Sequence, residues 1–192
     1  MKLVCQRLAK LGIDLSTMDA LEFFAREGDW QTTVYAGKVK SLEAWEINAR
    51  FADNLRMNLP MARVVIGDSF RMAKSATPDF GLVVFDNPMG LYEDHCEHFD
   101  ALLLLRNLLR TPGIVIFNVN HNPFSIEEQL EWAKRRKEFY GRDKVDIPFL
   151  IDFYRGFFER MGYIMNFCFE QKRTGYMSYF VFGLDENSNT ST

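Results

Sequence analysis

Short apolar runs alternate with helix-patterned stretches from Ala20 to Met161, and this leaves few architectures open. The apolar runs are Ala20–Phe24, Leu42–Ile47, Ala62–Ile66, Phe80–Phe85 and Ile114–Val119. Between and after them, Thr32–Lys40, Ala49–Asn58, Arg71–Ala76, Glu97–Arg110, Ser125–Phe139 and Pro148–Met161 read as helices. Pro60, Pro78 and Pro112-Gly113 mark helix stops, and Ser125-Ile126-Glu127-Glu128 matches a capping box. Five β-then-α units in succession predict a mostly parallel sheet with helices on both faces, joined by right-handed crossovers.

The two ends of the chain differ from this pattern. Val4, Leu8 and Leu11 give Met1–Leu11 a helical spacing, so residues 1–18 read as an N-terminal helical extension. Tyr163–Glu170 and Tyr176–Leu184 are aromatic, β-prone runs joined by Gln171-Lys172-Arg173-Thr174-Gly175, an antiparallel hairpin. The expected fold is therefore an α/β three-layer sandwich over residues 1–185. Its seven-stranded sheet is mostly parallel and closes in a C-terminal antiparallel hairpin. Residues 186–192 are polar and expected to fray.

Composition removes several alternatives. At 192 residues, 47% hydrophobic and with 18 Phe, the chain can bury one substantial core. A net charge of −3 exerts no global pull on nucleic acid or an anionic membrane. No run approaches the roughly 20 apolar residues that cross a bilayer. Met1-Lys2-Leu3-Val4-Cys5 lacks the apolar stretch of a lipoprotein signal. Cys5, Cys96 and Cys168 suggest neither a disulfide framework nor a zinc knuckle, and a cytoplasmic setting is expected.

In open α/β sheets ligands bind outside the carboxyl ends of the strands. Those ends read Phe24-Ala25-Arg26-Glu27-Gly28, Glu46, Gly67-Asp68-Ser69-Phe70, Asp86-Asn87-Pro88 and Asn118-Val119-Asn120-His121. The first four each place a carboxylate in or beside the turn. Taken together they resemble the class I S-adenosylmethionine-dependent methyltransferases. Leu21-Glu22-Phe23-Phe24-Ala25-Arg26-Glu27-Gly28 resembles the first motif of that family, with Arg26 where its central glycine stands.

The resemblance implies S-adenosylmethionine as cofactor, held by Glu22, Phe24, Ala25, Gly28, Glu46, Asp68, Ser69 and Phe70. Glu46, 18 residues beyond Gly28, matches the acid that binds the ribose hydroxyls. Asp68 matches the residue that receives the adenine amino group, the backbone of Ser69 or Phe70 completing the base's edge. Phe70 would pack on the ring. Asp86, Asn87 and His121 would face the acceptor, with Asp86, His95, His98 or His121 as a base where one is needed. Methyl transfer from a sulfonium is an in-line displacement that needs alignment above all and no metal.

A small molecule or sugar intermediate is the favoured acceptor, by O- or N-methylation, and no membrane partner is expected. Rival readings are a nucleic-acid methyltransferase, a non-catalytic binding module, and a dinucleotide-dependent oxidoreductase, which would need the missing G-x-G-x-x-G. Asp94-His95-Cys96-Glu97-His98 looks like a metal cluster, yet no second ligand pair accompanies it. Lys134-Arg135-Arg136-Lys137, with Arg142 and Lys144, is interleaved with Glu128, Glu131 and Glu138 and reads as a solvated helix face. Phe149–Phe158 is expected to pack on the sheet.

Overall fold

The computed structural model describes residues 1–86, 91–92, 95–121 and 130–187. The strands are β1 (Asp19–Phe23), β2 (Ser41–Glu46), β3 (Arg63–Ile66), β4 (Phe80–Phe85), β5 (Leu91–Tyr92), β6 (His95–Cys96), β7 (Leu109–Asn120), β8 (Tyr163–Lys172) and β9 (Met177–Glu186). The helices are α1 (Lys2–Lys10), α2 (Thr32–Ala36), α3 (Ala52–Asn58), α4 (Ser69–Ser75), α5 (Glu97–Leu103), α6 (Leu130–Tyr140) and α7 (Ile147–Arg160).

Seven strands form one sheet in the order β3-β2-β1-β4-β7-β9-β8, and the short β5 and β6 pair apart from it. β3, β2, β1, β4 and β7 are parallel, whereas β9 runs antiparallel between β7 and β8. Side-chain alternation along the strands splits the core in two. Leu21, Phe23, Val83, Phe85, Val115, Phe117, Phe180 and Phe182 face the layer of α4, α5, α6 and α7. Ala20, Ala44, Leu82, Val84, Ile114, Ile116 and Val181 face α1, α2 and α3. The strands are apolar on both faces because both are covered.

Helix α7 shows why the aromatic stretch is helical rather than extended. Asp146 caps it by accepting the Phe149 N–H at 2.9 Å, and Pro148 stands in its first turn. Leu150, Tyr154, Phe157 and Phe158 then fall on one buried stripe.

Four boundaries depart from the sequence reading. The leucine-rich helix ends at Leu103, and Leu105–Asn107 forms a 3-10 turn. Strand β7 begins at Leu109, before Pro112-Gly113, because the proline falls in an irregularity of the β4–β7 ladder: Phe80 pairs with Leu109 and Leu82 with Ile114. Thr32–Lys40 shortens to Thr32–Ala36, ended at Gly37. β9 extends through Glu186, whose neighbour Asn187 donates to the Gly162 carbonyl, so pairing holds the start of the stretch expected to fray. The capping box at Ser125 lies outside the described residues.

Candidate active site

Ladder register brings the strand ends to one edge. Ile66 pairs with Glu46, Trp45 with Phe23, Phe23 with Phe85 and Phe85 with Phe117. Asp68, Glu46, Glu22 and Asp86 thus stand at the carboxyl edge of four adjacent strands. With about 4.8 Å between neighbours, the outer two strands lie about 14 Å apart. The acids nevertheless have different duties.

Glu46, 5% exposed, is held by the chain it organises. Its Oε2 accepts the Arg26 N–H and its Oε1 the Asn48 N–H, both at 2.7 Å. Each oxygen keeps one further lone pair with which it can accept. Asp68 caps α4, its Oδ1 accepting the N–H groups of Phe70 (2.9 Å) and Arg71 (3.2 Å). The Phe70 amide is thereby taken, and the Ser69 N–H is the one of the pair that Asp68 does not engage. The Phe70 ring is interior: it stacks on His95 (4.2 Å between centroids, 15°) and packs against Phe23 and Phe24.

Glu22 is fully buried. Tyr35 donates to it, and Thr32 and the Asp86 backbone also support it. Burial, reinforced by the Asp86 charge, pushes its carboxyl well above the usual carboxylate range. Through Tyr35 and Thr32, Glu22 fastens β1 to α2. Asp86 sits beside it, with Oδ1 accepting Arg173 Nη1 at 2.7 Å, Asn118 Nδ2 at 2.9 Å and the Tyr179 hydroxyl at 3.0 Å. Burial raises the Asp86 pKa, and the Arg173 cation opposes that rise.

A cavity of about 500 Å³ opens here. Glu22, Phe24, Ala25, Gly28 and Asp86 from the sequence reading line it, together with Trp30, Thr32, Arg173 and Tyr176. Glu46, Asp68, Ser69, Phe70 and His121 are not in its wall. The His121 backbone N–H donates to the carbonyl of the wall residue Tyr176 at 2.9 Å, and burial lowers the pKa of the His121 ring. Asn87 lies outside the described residues.

The loop between β1 and α2 has an unusual backbone. Phe24 (φ 64°), Arg26 (φ 48°) and Gly28 (φ 63°) are all left-handed. Arg26 therefore adopts the backbone region that glycine favours while carrying a side chain, and the Glu46 carboxylate pins its amide. Gly28 is required twice over. A Cβ there would meet Leu55 Cδ1 at 2.6 Å and Leu59 Cδ1 at 2.7 Å, besides the strained φ.

Three sequence expectations change. His98 is 3% exposed, bonded through Nε2 to the Tyr154 hydroxyl at 2.6 Å, and its pKa falls to about 3 through burial; it has no route to an acceptor. His95 lies on Phe70 instead of sharing a face with His98. Arg136 is buried, not solvated, because with Trp132 and Tyr140 it forms the inward stripe of α6 at four-residue intervals. Arg173, Asn118 and Tyr179 are the site residues that motif reasoning missed. Arg173 reads only as turn chemistry, and nothing local marks Tyr179 among the aromatics of β9.

No protein-family model and no curated protein sequence matches the chain. Solved structures do. The N-methyltransferase NodS from Bradyrhizobium japonicum superimposes with a TM-score of 0.59 at 12% identity, covering 96% of each chain. A TehB-like S-adenosylmethionine-dependent methyltransferase from Corynebacterium glutamicum gives 0.55 at 18% identity, covering 96% of this chain and 95% of that one. The RNA methyltransferase candidate PH1948 from Pyrococcus horikoshii gives 0.60 at 14% identity, covering 98% and 82%. At these identities the likeness establishes the fold, which is that of the class I methyltransferases.

Proposed function

We propose that the chain binds S-adenosylmethionine along the carboxyl edge of its sheet and transfers the methyl group to a small acceptor. The observation that carries this is the alignment of Asp68, Glu46, Glu22 and Asp86 on four adjacent strands beside a cavity of about 500 Å³. That volume lies in the range of about 300–1,000 Å³ usual for small-molecule sites. The donor set fits the cofactor. The two remaining lone pairs of Glu46 suit a vicinal diol, and Asp68 with the Ser69 N–H suits the amino edge of adenine. Glu22 serves the loop, not the ligand directly. Phe24, Ala25 and Gly28 shape the loop wall, and Phe70 supports Phe24 from beneath.

The cofactor supplies an activated methyl on a positive sulfur. Asp86, fixed through one oxygen by three donors, offers the other to that charge and to the acceptor, with Asn87 following it. His121, neutral at pH 7 because burial lowers its pKa, is the group fit to take a proton from an acceptor hydroxyl or amine. The basic run argues for a small acceptor over nucleic acid. Arg136 is inside, Arg135 bonds Asp100 at 3.3 Å and Lys137 pairs with Asp143, so three of the four consecutive cations are engaged within the chain.

Calorimetry with S-adenosylhomocysteine tests the proposal. Wild type is expected to bind, and Glu46→Ala to lose about 1.5–3 kcal/mol, the scale of hydrogen bonds to a charged group. Equal affinities would overturn the ribose assignment. Affinity for RNA that falls steeply with salt would favour the nucleic-acid reading instead.

A further inference from the structure

Arg136 has a guanidinium that is only partly used. Its Nη1 donates to the Asp143 carbonyl at 2.6 Å, which ties down one corner. Nε and Nη2 are buried and have no hydrogen-bond partner. These two atoms direct their N–H bonds in parallel from the same edge of the plane. That edge is the fork which takes a carboxylate or phosphate in two hydrogen bonds. One turn earlier, Trp132 Nε1 is a third buried donor without an acceptor. The guanidinium lies 6.0 Å from the Trp132 ring centroid and 5.6 Å from that of Tyr140.

Every orphan in this group is a donor. The nearby hydroxyls are occupied: Tyr140 bonds Tyr154 at 2.6 Å, and Tyr154 bonds His98 at 2.6 Å. Among the described residues no carboxylate forms an ion pair with Arg136. A buried cation that no described carboxylate pairs with directly is unfavourable, and burial lowers even this arginine's pKa although the Asp143 charge opposes the fall. Such features persist in proteins where a function requires them. The location is also informative. Arg136 adds its charge to the burial that lowers the pKa of His121, the residue that follows β7 at the carboxyl edge.

We propose that the Arg136 fork, with the Trp132 N–H, is a built receptor for one anionic group, a carboxylate or a phosphate. Resting on the methyltransferase reading, that group belongs to the acceptor, whose other end reaches Asp86 and His121. Because the three donors are closed to water in this state, the anion enters by local opening around α6 and replaces the missing acceptors.

Thermal melts of the full chain test this at constant ionic strength, with inorganic phosphate, acetate or chloride as the anion. Phosphate or acetate is expected to raise the wild-type midpoint by at least about 3 °C over chloride. Arg136→Met should melt higher than wild type in chloride and respond to neither anion. The arm that responds assigns the class, phosphate or carboxylate. Equal responses in wild type and Arg136→Met would overturn the proposal and leave a structural arginine served by water. If Arg136→Met fails to fold, Arg136→Lys decides. It keeps the charge without the fork, and a wild-type response from it refutes the fork. S-adenosylhomocysteine affinity should be unchanged in both variants. Failure of the wild type to bind that probe would count against the cofactor site, and not against the anion receptor.

Discussion

Gly28→Ala isolates how the β1–α2 loop is seated on α3. Glycine at φ 63° carries no penalty, whereas an L-residue there costs about 1 kcal/mol or more. The new Cβ would also stand 2.6 Å from Leu55 Cδ1 and 2.7 Å from Leu59 Cδ1. Both leucines are buried, at 0% and 3% exposure, so neither can swing into solvent. Overpacking of this kind costs about 1–3 kcal/mol. The sum, roughly 2–4 kcal/mol, is a large share of the about 5–15 kcal/mol that holds a domain together. It corresponds to a midpoint lower by roughly 4–16 °C for a chain of this size. Gly12→Ala is the control: its φ is 79°, and nothing lies within 4 Å of the added Cβ. Urea unfolding of both variants separates backbone strain from packing. The loop is also tied to α3 by Asn58 Nδ2, which donates to the Glu27 carbonyl at 2.8 Å. Pushing it outward should therefore weaken S-adenosylhomocysteine binding as well. If Gly28→Ala is no less stable than Gly12→Ala, the loop does not depend on close approach to α3.

Three further outcomes are expected. Arg173→Met leaves Asp86 buried with Tyr179 and Asn118 as its side-chain donors among the described residues, and should destabilise the fold by about 2–4 kcal/mol in urea titrations; a change near zero would mean the pair is dispensable. The Glu22 pKa is raised in the fold, so its contribution is fully present below its unfolded pKa near 4.5 and declines as pH rises toward the folded value. Glu22→Gln should accordingly flatten the loss of stability measured as pH rises above about 5, and an unchanged slope would show that the fold does not raise the Glu22 pKa. For His98 the sign is opposite. Its pKa falls from 6.5 to about 3, so stability is present above 6.5 and is lost on acidification, approaching about 1.4 kcal/mol per pH unit until about pH 3. His98→Gln should remove that slope in unfolding curves taken between pH 6 and pH 4, and an equal slope in the variant would place the effect elsewhere.

The strand-helix alternation was readable because the central strands are buried on both faces, which produces uninterrupted apolar runs such as Leu82-Val83-Val84-Phe85. The order of acids after the strands was readable for a related reason: each sits one β-α unit after the last. Side-chain direction was not. Glu22 and Glu46 look alike in sequence, yet one turns into the α1–α3 layer to meet Tyr35 and the other turns back to hold the Arg26 amide. Phe70 was placed at the right strand end, but its ring is claimed by Phe23, Phe24 and His95. The partners of Asp86 come from β7, β9 and the final hairpin turn, 32 to 93 residues away, and local pattern carries no trace of such pairings. Arg136 shows the same limit. Charge alternation marks α6 as solvated, whereas a four-residue stripe with Trp132 and Tyr140 decides which charge goes inside.

The placement of β9 between β7 and β8 bears on how the molecule is made. During synthesis the first five sheet strands emerge in order, and each can dock on a neighbour already present. β7 then exposes the flank Gly113–Asn120, which β9 covers only after β8 has emerged. Until residue 186 emerges, that flank can recruit β8 out of turn or a strand from another nascent chain. Shortening β9 would therefore do more harm than fraying an end, since β8 joins the sheet only through it.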